Sequence, residues 1–458
     1  MENKRKAAFL TLGCKVNSYE TIAMEKLFQD RGYELTEFSE KADVYVVNTC
    51  TVTNIADRKS RQMLHKAKKN NPDAIVVAAG CYVQAAGEAV QEDMAVDIII
   101  GNNKKSNVVD VVEEYMKSKG ISVKDNYNKE LFQEKNYEEL HVDYAQEKTR
   151  AVIKIQDGCN QFCSYCIIPF ARGRVRSREL EDILSEVKLL AEKGCHEVVL
   201  TGIHLSSYGV DLEPWVSENK KHDFISLAGR PLLKVIEEVS RIEGIERIRL
   251  GSLEPRIITE EFVKQISKVK ELCPHFHLSL QSGCDATLER MNRRYTTTEF
   301  AENVAILRKY YKDPAITTDI IVGFPGETLE ELKITKKFLE DIAFAQMHVF
   351  KYSVRKGTKA ETMENQVTEQ IKSKRSDEVL EIERRMRKQY MEQMIGKEQT
   401  ILLEEMMEVD GKQYMIGHNE RYVKLAIEIS GASPEELENT FVKAVPSGWL
   451  TKDILIVQ

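Results

Sequence analysis

The chain's capacity for chemistry rests first on cysteine. Of its nine cysteines, three stand within eight residues: Cys159, Cys163 and Cys166 in the stretch DGCNQFCSYC, a C-x3-C-x2-C spacing. A closed structural zinc site takes four ligands, and a zinc ribbon needs a second C-x2-C pair, which this sequence lacks. The next cysteine along the chain is Cys195. Either a fourth ligand comes from elsewhere, or the open position is the purpose of the site.

A second group is spread more widely. Cys14, Cys50 and Cys81 are separated by 36 and 31 residues, and each follows a short β-branched apolar run, AAFLTL, DVYVVN and AIVVAA; a fourth run, VDIII, comes after. Such runs are expected of strands buried on both faces, and amphipathic helical patterns lie between them. The βαβα order predicts a small parallel sheet over residues 1–118. Ligands gather beyond the carboxyl ends of strands in such sheets, so the three thiols are expected to converge. Free cysteine also packs well as a small apolar residue, but a strand followed by a cysteine, three times running, favours a second site.

Further elements must position these groups. Residues 119–149 are polar and charged and read as a linker. From Ala151 the runs AVIKIQ, EVVLTG, RIRLGS, FHLSLQ, TTDIIVG and QMHVFKY alternate with helical patterns, which predicts a partial (β/α)6 barrel over 150–375. Polar or glycine-rich residues follow almost every strand: Cys159, Gly202 and His204, Ser252 and Glu254, Gln281 and Ser282, Gly323, Tyr352. Strand ends of this kind build active sites. Cys195 and Cys273 precede strands, on the opposite face, and are expected to be structural; Cys284 is expected to start a helix. A charged helix over about 369–393 leads into the last unit, 376–458. There QTILLEE, QYMIGHN, YVKLAI, TFVKAV and DILIV, with Gly and Asn turns, predict a small β-barrel. The fold class is α/β in three units.

Composition narrows the class of protein. Hydrophobic residues make up 42% and charged residues 30%, as in soluble proteins. The longest apolar run, AIVVAAGCYV, is too short to span a bilayer, and the N-terminus lacks a signal-peptide cleavage pattern. The expected compartment is the cytosol, where cysteines serve as metal ligands or catalytic groups more often than in disulfides.

The cysteine loop after the first barrel strand, with Tyr165 before its last cysteine, resembles the radical S-adenosylmethionine (SAM) superfamily. That resemblance implies a [4Fe–4S] cluster on Cys159, Cys163 and Cys166 whose open iron chelates SAM. It also implies SAM contacts from Gly202, Ser252, Glu254 and Gln281, and an adenine-supporting turn at GFPGET, Gly323 to Thr328. With the N-terminal triad and a C-terminal TRAM-like barrel, nearly the whole chain resembles the methylthiotransferase family. The family implies a second [4Fe–4S] cluster on Cys14, Cys50 and Cys81 that handles sulfur, an electron-donor protein and a sulfur source. The stretches LGCKVNSYE and NTCTVTNIADRKSRQ resemble the branch that adds a methylthio group to carbon 2 of threonylcarbamoyladenosine beside the tRNA anticodon. The alternatives are isopentenyladenosine in tRNA, whose branch reads closer to Tyr-Gly-Cys-Gln, and a ribosomal-protein aspartate, whose branch reads Cys-Pro-Lys-Asn.

Charge gives mixed support for an RNA partner. Net charge is −7. Local basic groups stand out: Arg58, Lys59, Arg61, Lys66, Lys68 and Lys69; Arg172, Arg174, Arg176 and Arg178; Arg290, Arg293 and Arg294; and KSKR with RRMRK in the charged helix. Patches of this sort contact phosphates. The last unit, from Lys397, carries 6 Lys and Arg against 11 Asp and Glu. An RNA-binding face there would use Tyr414, His418, Arg421, Tyr422 and Lys424, through stacking and hydrogen bonds to unpaired bases. No role is assigned to the segment 211–230, and no membrane contact is expected.

Overall fold

The computed structural model describes residues 4–118, 131–142, 149–213, 223–429, 431 and 433–457. Most of the expected linker and the middle of the 211–230 segment lie outside the described residues.

Five parallel strands form the first sheet: β1 (Lys6–Thr11), β2 (Glu34–Thr36), β3 (Val44–Thr49), β4 (Ile75–Gly80) and β5 (Ile98–Ile100), in the order β2-β1-β3-β4-β5. The sequence predicts four of these. The fifth, β2, is a three-residue edge strand, ELT, with no buried residue, and so it leaves no apolar run to read. After β2 the chain returns to the other side of β1, which puts the topological switch point between β1 and β3. Cys14 and Cys50 follow these two strands, at the crevice where such sheets take ligands.

The second unit contains β6 (Arg150–Asp157), a two-residue antiparallel β7 (Arg176–Ser177), then β8 (Glu197–Gly202), β9 (Arg247–Leu250), β10 (His275–His277), β11 (Ala315–Val322) and β12 (Gln346–Lys351). The orders are β7-β6-β8-β9 and β10-β11-β12, joined by bridges such as Ile248–Leu272 and Leu253–Leu278. Apart from β7 the strands are parallel, as the six runs predict. Ile153, Ile155, Val198, Leu200, Ile248, Phe276, Ile316, Ile320 and Met347 pack outward into one core with the helices. Side chains alternate along a strand, so the lumen receives Arg150, Lys154, Glu197, Arg247, Arg249, His275, His277, Thr317, Asp319 and His348. Barrels of this class are normally filled with Val, Ile and Leu. Val152, Val199, Ile321 and Phe350 share that inward parity, so the lumen mixes apolar residues with an unusual set of charged and imidazole groups, which marks it as a site.

The helix Glu369–Glu392 ties the barrel to the last unit: Val379, Ile382 and Met386 enter the barrel core, and Met391 enters the C-terminal core. Six strands follow: β13 (Gln399–Val409), β14 (Lys412–Asn419), β15 (Lys424–Glu428), β16 (Phe441–Ala444), β17 (Pro446–Thr451) and β18 (Ile454–Val457), in the order β16-β13-β14-β15-β18-β17. Strands β16 and β17 lie at opposite edges, yet only Val445 separates them in the chain. One residue spans that distance only if the sheet curls until its edges meet. Strand β17 escapes the sequence reading because PSGWLT carries Pro and Gly, which argue against a strand. Among the described residues, no helix is long and apolar enough to cross a membrane.

Candidate functional site

Each N-terminal thiol is set by the end of a strand. Cys14 caps the helix Lys15–Asp30 after β1, Cys50 follows β3, and Cys81 opens a short helix after β4. Gly13 makes the approach of the first two turns feasible: at φ +106° it adopts a backbone conformation that suits glycine, and a Cβ there would lie 2.8 Å from Cys50 Sγ. Asn17 fastens the same turns, its Nδ2 donating to the carbonyls of Leu12 (2.7 Å) and Thr49 (2.9 Å). Cys50 and Cys81 are buried. Burial, reinforced by the neighbouring thiols, pushes Cys50 up to about 11 and raises Cys14 also.

Behind Cys81 lies a buried ionic network that joins the first unit to the barrel. Arg172 donates from Nε to Cys81 Sγ (3.2 Å), from Nη1 to Glu20 (2.9 Å) and Asp157 (3.1 Å), and from Nη2 to Asn17 Oδ1 (2.6 Å). Lys154 bridges Glu20 (2.8 Å) and Asp157 (2.7 Å), Lys105 pairs with Glu20, and Arg176 reaches Asp157 at 3.7 Å. All six charged groups are at most 2% exposed. Despite burial, the surrounding cations hold Glu20 and Asp157 well below the usual carboxylate range. Of these four cations, Arg172 is the one that reaches the sulfur of Cys81. Asn102 Nδ2 donates to the same sulfur at 3.5 Å.

The barrel triad sits on one loop after β6. Gly158, at φ +70°, lets this loop touch the backbone of Gly173 and Arg174; a Cβ would fall 1.8 Å from the Arg174 carbonyl oxygen. Cys163 Sγ accepts from Arg293 (3.2 Å), and Cys159 Sγ accepts from the Gln161 N–H (3.5 Å). Burial pushes Cys159 up to about 12 and raises Cys166 further. Both triads therefore offer thiols alone, with cationic or amide donors on Cys81, Cys159 and Cys163. That donor set fits iron–sulfur clusters, which are held by thiolates and tuned by hydrogen bonds to sulfur.

Around the barrel mouth the expected SAM contacts fall as follows. Gly202 ends β8 against Gln156, whose Oε1 accepts the His204 N–H at 2.7 Å. Glu254 is buried and accepts from Arg256 Nε (2.7 Å), while Arg256 reaches Gln161 on the cysteine loop (3.3 Å). Ser252 shares a hydrogen bond with Ser279 (2.7 Å). Gln281 is held at φ +71°, costly for a residue with a side chain and a frequent mark of functional sites. Tyr165 packs edge-on against Phe324 beneath the loop. Sequence reasoning did not assign a role to His204. Its Nδ1 is engaged by Ser207 (2.7 Å), and its buried Nε2 has no hydrogen-bond partner among the described residues. Burial and the nearby Arg293 and Arg256 lower it to about 3, so a neutral ring presents this nitrogen at the mouth. An orphaned buried polar atom there fits a bound polar cofactor such as SAM.

Two expectations are corrected. Arg172, Arg176 and Arg178 are at most 1% exposed, paired with Glu20, Asp157 and Glu186, and so do not contact phosphates; of that run only Arg174 is exposed. In the last unit Tyr414 and His418 are buried. Tyr422 stacks between His418 (4.4 Å) and His275 of the barrel (5.3 Å), and Arg421 donates to the carbonyls of Lys312 and Asp313. His418, Arg421 and Tyr422 pack against the barrel, and Tyr414 packs in the last unit's own core. Cys195, Cys273 and Cys284 are buried, and Cys284 caps the helix Asp285–Arg290.

Residues 153–339 match the Radical SAM superfamily, and residues 6–101 match Uncharacterized protein family UPF0004. Over 92% of its length the chain is 38% identical to a Bacillus subtilis (strain 168) protein named threonylcarbamoyladenosine tRNA methylthiotransferase MtaB, 90% of which is covered. The chain belongs to the methylthiotransferase family. Another family member of the same name, from Aquifex aeolicus (strain VF5), is 41% identical over 87% of this chain and 93% of its own. A third methylthiotransferase relative, from Moorella thermoacetica, is 34% identical over 88% of each chain and is named tRNA-2-methylthio-N(6)-dimethylallyladenosine synthase. In fold, this methylthiotransferase resembles the radical S-adenosylmethionine methyltransferase TsrM from Kitasatospora setae, solved with cobalamin and a [4Fe–4S] cluster bound (TM-score 0.56, 15% identity, 78% of this chain and 77% of that one).

Proposed function

We propose that this methylthiotransferase modifies threonylcarbamoyladenosine in the anticodon stem-loop of tRNA, adding a methylthio group at carbon 2 of the adenine. The observation that carries the reading is the pairing of two three-thiol sites, one per parallel sheet, locked together through Arg172. Cys159, Cys163 and Cys166 would hold the SAM-binding [4Fe–4S] cluster, with Gly202, His204, Ser252, Glu254 and Gln281 around SAM and Tyr165 bracing the loop. Cys14, Cys50 and Cys81 would hold the second. When bound, these groups supply one-electron chemistry to open SAM and a site for sulfur.

The chain's own residues do the positioning. Arg293 places a positive charge on the Cys163 sulfur, and the Gln161 N–H orients that of Cys159. Arg172 and Asn102 do so for Cys81, and the buried network fixes the spacing between the two sites. A carbon–hydrogen bond and its sulfur donor must be held within near-contact range for transfer, and a buried ionic joint between the two units would serve that need. The charged groups of the lumen, Arg150, Arg249 and Lys15 among them, favour a substituent with a carboxylate over the apolar isopentenyl group of the second branch. The segments 1–118, 150–375 and 376–458 are read as working units, with a cytosolic location, an electron-donor protein and a sulfur source as partners. The test is nucleoside mass analysis of tRNA from a host lacking this modification, with and without the protein. Appearance of methylthiolated threonylcarbamoyladenosine supports the reading; methylthiolation of isopentenyladenosine alone overturns it.

A further inference from the structure

All three units meet in the barrel lumen around one phenol ring. Arg150 and Arg249 lie 5.0 and 4.9 Å from the Tyr422 centroid, and Lys15 Nζ lies 6.0 Å from it. The arginines are satisfied. Arg249 binds both oxygens of Glu197 (2.6 and 3.2 Å) and the carbonyls of Asn419 (2.7 Å) and Glu420 (2.8 Å). Arg150 pairs with Glu197 and with Glu404 (2.6 Å), and Arg247 binds the carbonyls of His418 (3.0 Å) and Thr400 (2.7 Å).

The carboxylates are taken as well. Glu404 also accepts from His418 (2.8 Å), and Asp319 lies 3.3 Å from His277. Within this group Lys15 has neither a salt bridge nor a hydrogen bond among the described residues, and it is exposed. Arg150 and Arg249 repel this ammonium and Glu197, already shared by the two arginines, attracts it, so a second anion placed here would meet a cation with no contact partner of its own. Lys15 also follows Cys14 directly, so whatever it binds lies beside the N-terminal triad.

We propose that Lys15, set among Arg150, Arg249 and Tyr422, reads a carboxylate on the substrate: the free carboxylate of the threonylcarbamoyl group. The inference rests on the function proposed above and deepens it into a rule of specificity. A lone ammonium on a flexible stem suits a carboxylate that enters with the RNA, because it needs no bidentate geometry. An apolar substituent, or one with its carboxylate masked, gains nothing from it.

The test uses the full chain, anaerobically reconstituted, with two labelled stem-loop RNAs. One carries threonylcarbamoyladenosine, and the other carries the same nucleoside with its carboxylate converted to a primary amide. Wild-type protein is expected to bind the carboxylate RNA roughly 10- to 100-fold more tightly, the range of a charge-assisted hydrogen bond. Lys15→Gln should collapse that ratio towards one by weakening the carboxylate RNA only, and Lys15→Arg should restore most of it. Equal wild-type affinity for both RNAs overturns the inference even if every variant fails to fold. Equal weakening of both RNAs by Lys15→Gln overturns it too. Wild-type protein that methylthiolates neither RNA overturns the function itself, and this inference with it.

Discussion

The two thiol triads look alike in composition and differ in how they are built. The barrel triad comes from one loop, C-x3-C-x2-C, and one arginine, Arg293, serves its middle thiol. The N-terminal triad comes from three loops separated by whole βα units, and its backing is a buried ionic network shared with the barrel. A local motif needs only a strand end to hold it. A dispersed site needs the sheet, the switch point between β1 and β3, and a correctly docked neighbour. Damage to the joint between units should therefore reach the N-terminal triad first.

The largest expected effect concerns the barrel triad. Cys159→Ala should abolish formation of 5′-deoxyadenosine from SAM and lower iron from about eight to about four per chain, if each triad holds four; persistent SAM cleavage would break the assignment. Next comes Arg172→Met. It removes buried hydrogen bonds to Cys81, Glu20, Asp157 and Asn17 while Lys105, Lys154 and Arg176 still pair the two carboxylates, so chemical denaturation should show a loss of about 3 kcal/mol. Arg293→Met, which removes hydrogen bonds to Cys163, the Tyr295 hydroxyl and the Ser279 carbonyl, should cost about 1–2 kcal/mol. Equal losses would erase the contrast between the triads.

A third expectation concerns acid. Arg249 and Arg150 hold the Glu197 carboxyl down to about 2, below its ordinary value near 4.5. A depressed carboxylate contributes stability that is present above its unfolded value and lost as pH falls through the folded one. Unfolding measured from pH 5 to pH 2 should show roughly 3 kcal/mol of falling stability from this group, and Glu197→Gln should flatten that slope. The smallest effect concerns RNA. Arg58, Lys59, Arg61, Lys66 and Lys69 stay exposed on the helix Asn54–Asn70. Neutralising Arg58 and Arg61 should lower the salt dependence of stem-loop binding by about 0.7 per charge, whereas Arg176→Gln should act on stability.

Much of this was legible in the sequence, because strand-end cysteines report topology through spacing alone. The six barrel strands also read correctly, since most are compact β-branched runs followed by polar residues; FHLSLQ has no β-branched residue, and its strand is only His275–His277. What escaped depends on partners distant in the chain. Arg172, Arg176 and Arg178 look like a phosphate-binding run until Glu20, Asp157 and Glu186 are seen to bury them. Tyr422 looks like an RNA-stacking residue until His275, more than a hundred residues earlier, stacks on it. His204 gave no local signal beyond its place after β8; only its orphaned nitrogen reveals it.

The central claim is that the two triads do different jobs in one reaction. It is tested most directly with Cys50→Ala protein, SAM, a reductant and threonylcarbamoyladenosine stem-loop RNA, measuring 5′-deoxyadenosine and the methylthiolated nucleoside in the same sample. The account predicts 5′-deoxyadenosine without methylthiolated product. Methylthiolated product at the wild-type level, or loss of 5′-deoxyadenosine from a variant that keeps its barrel iron, would contradict it.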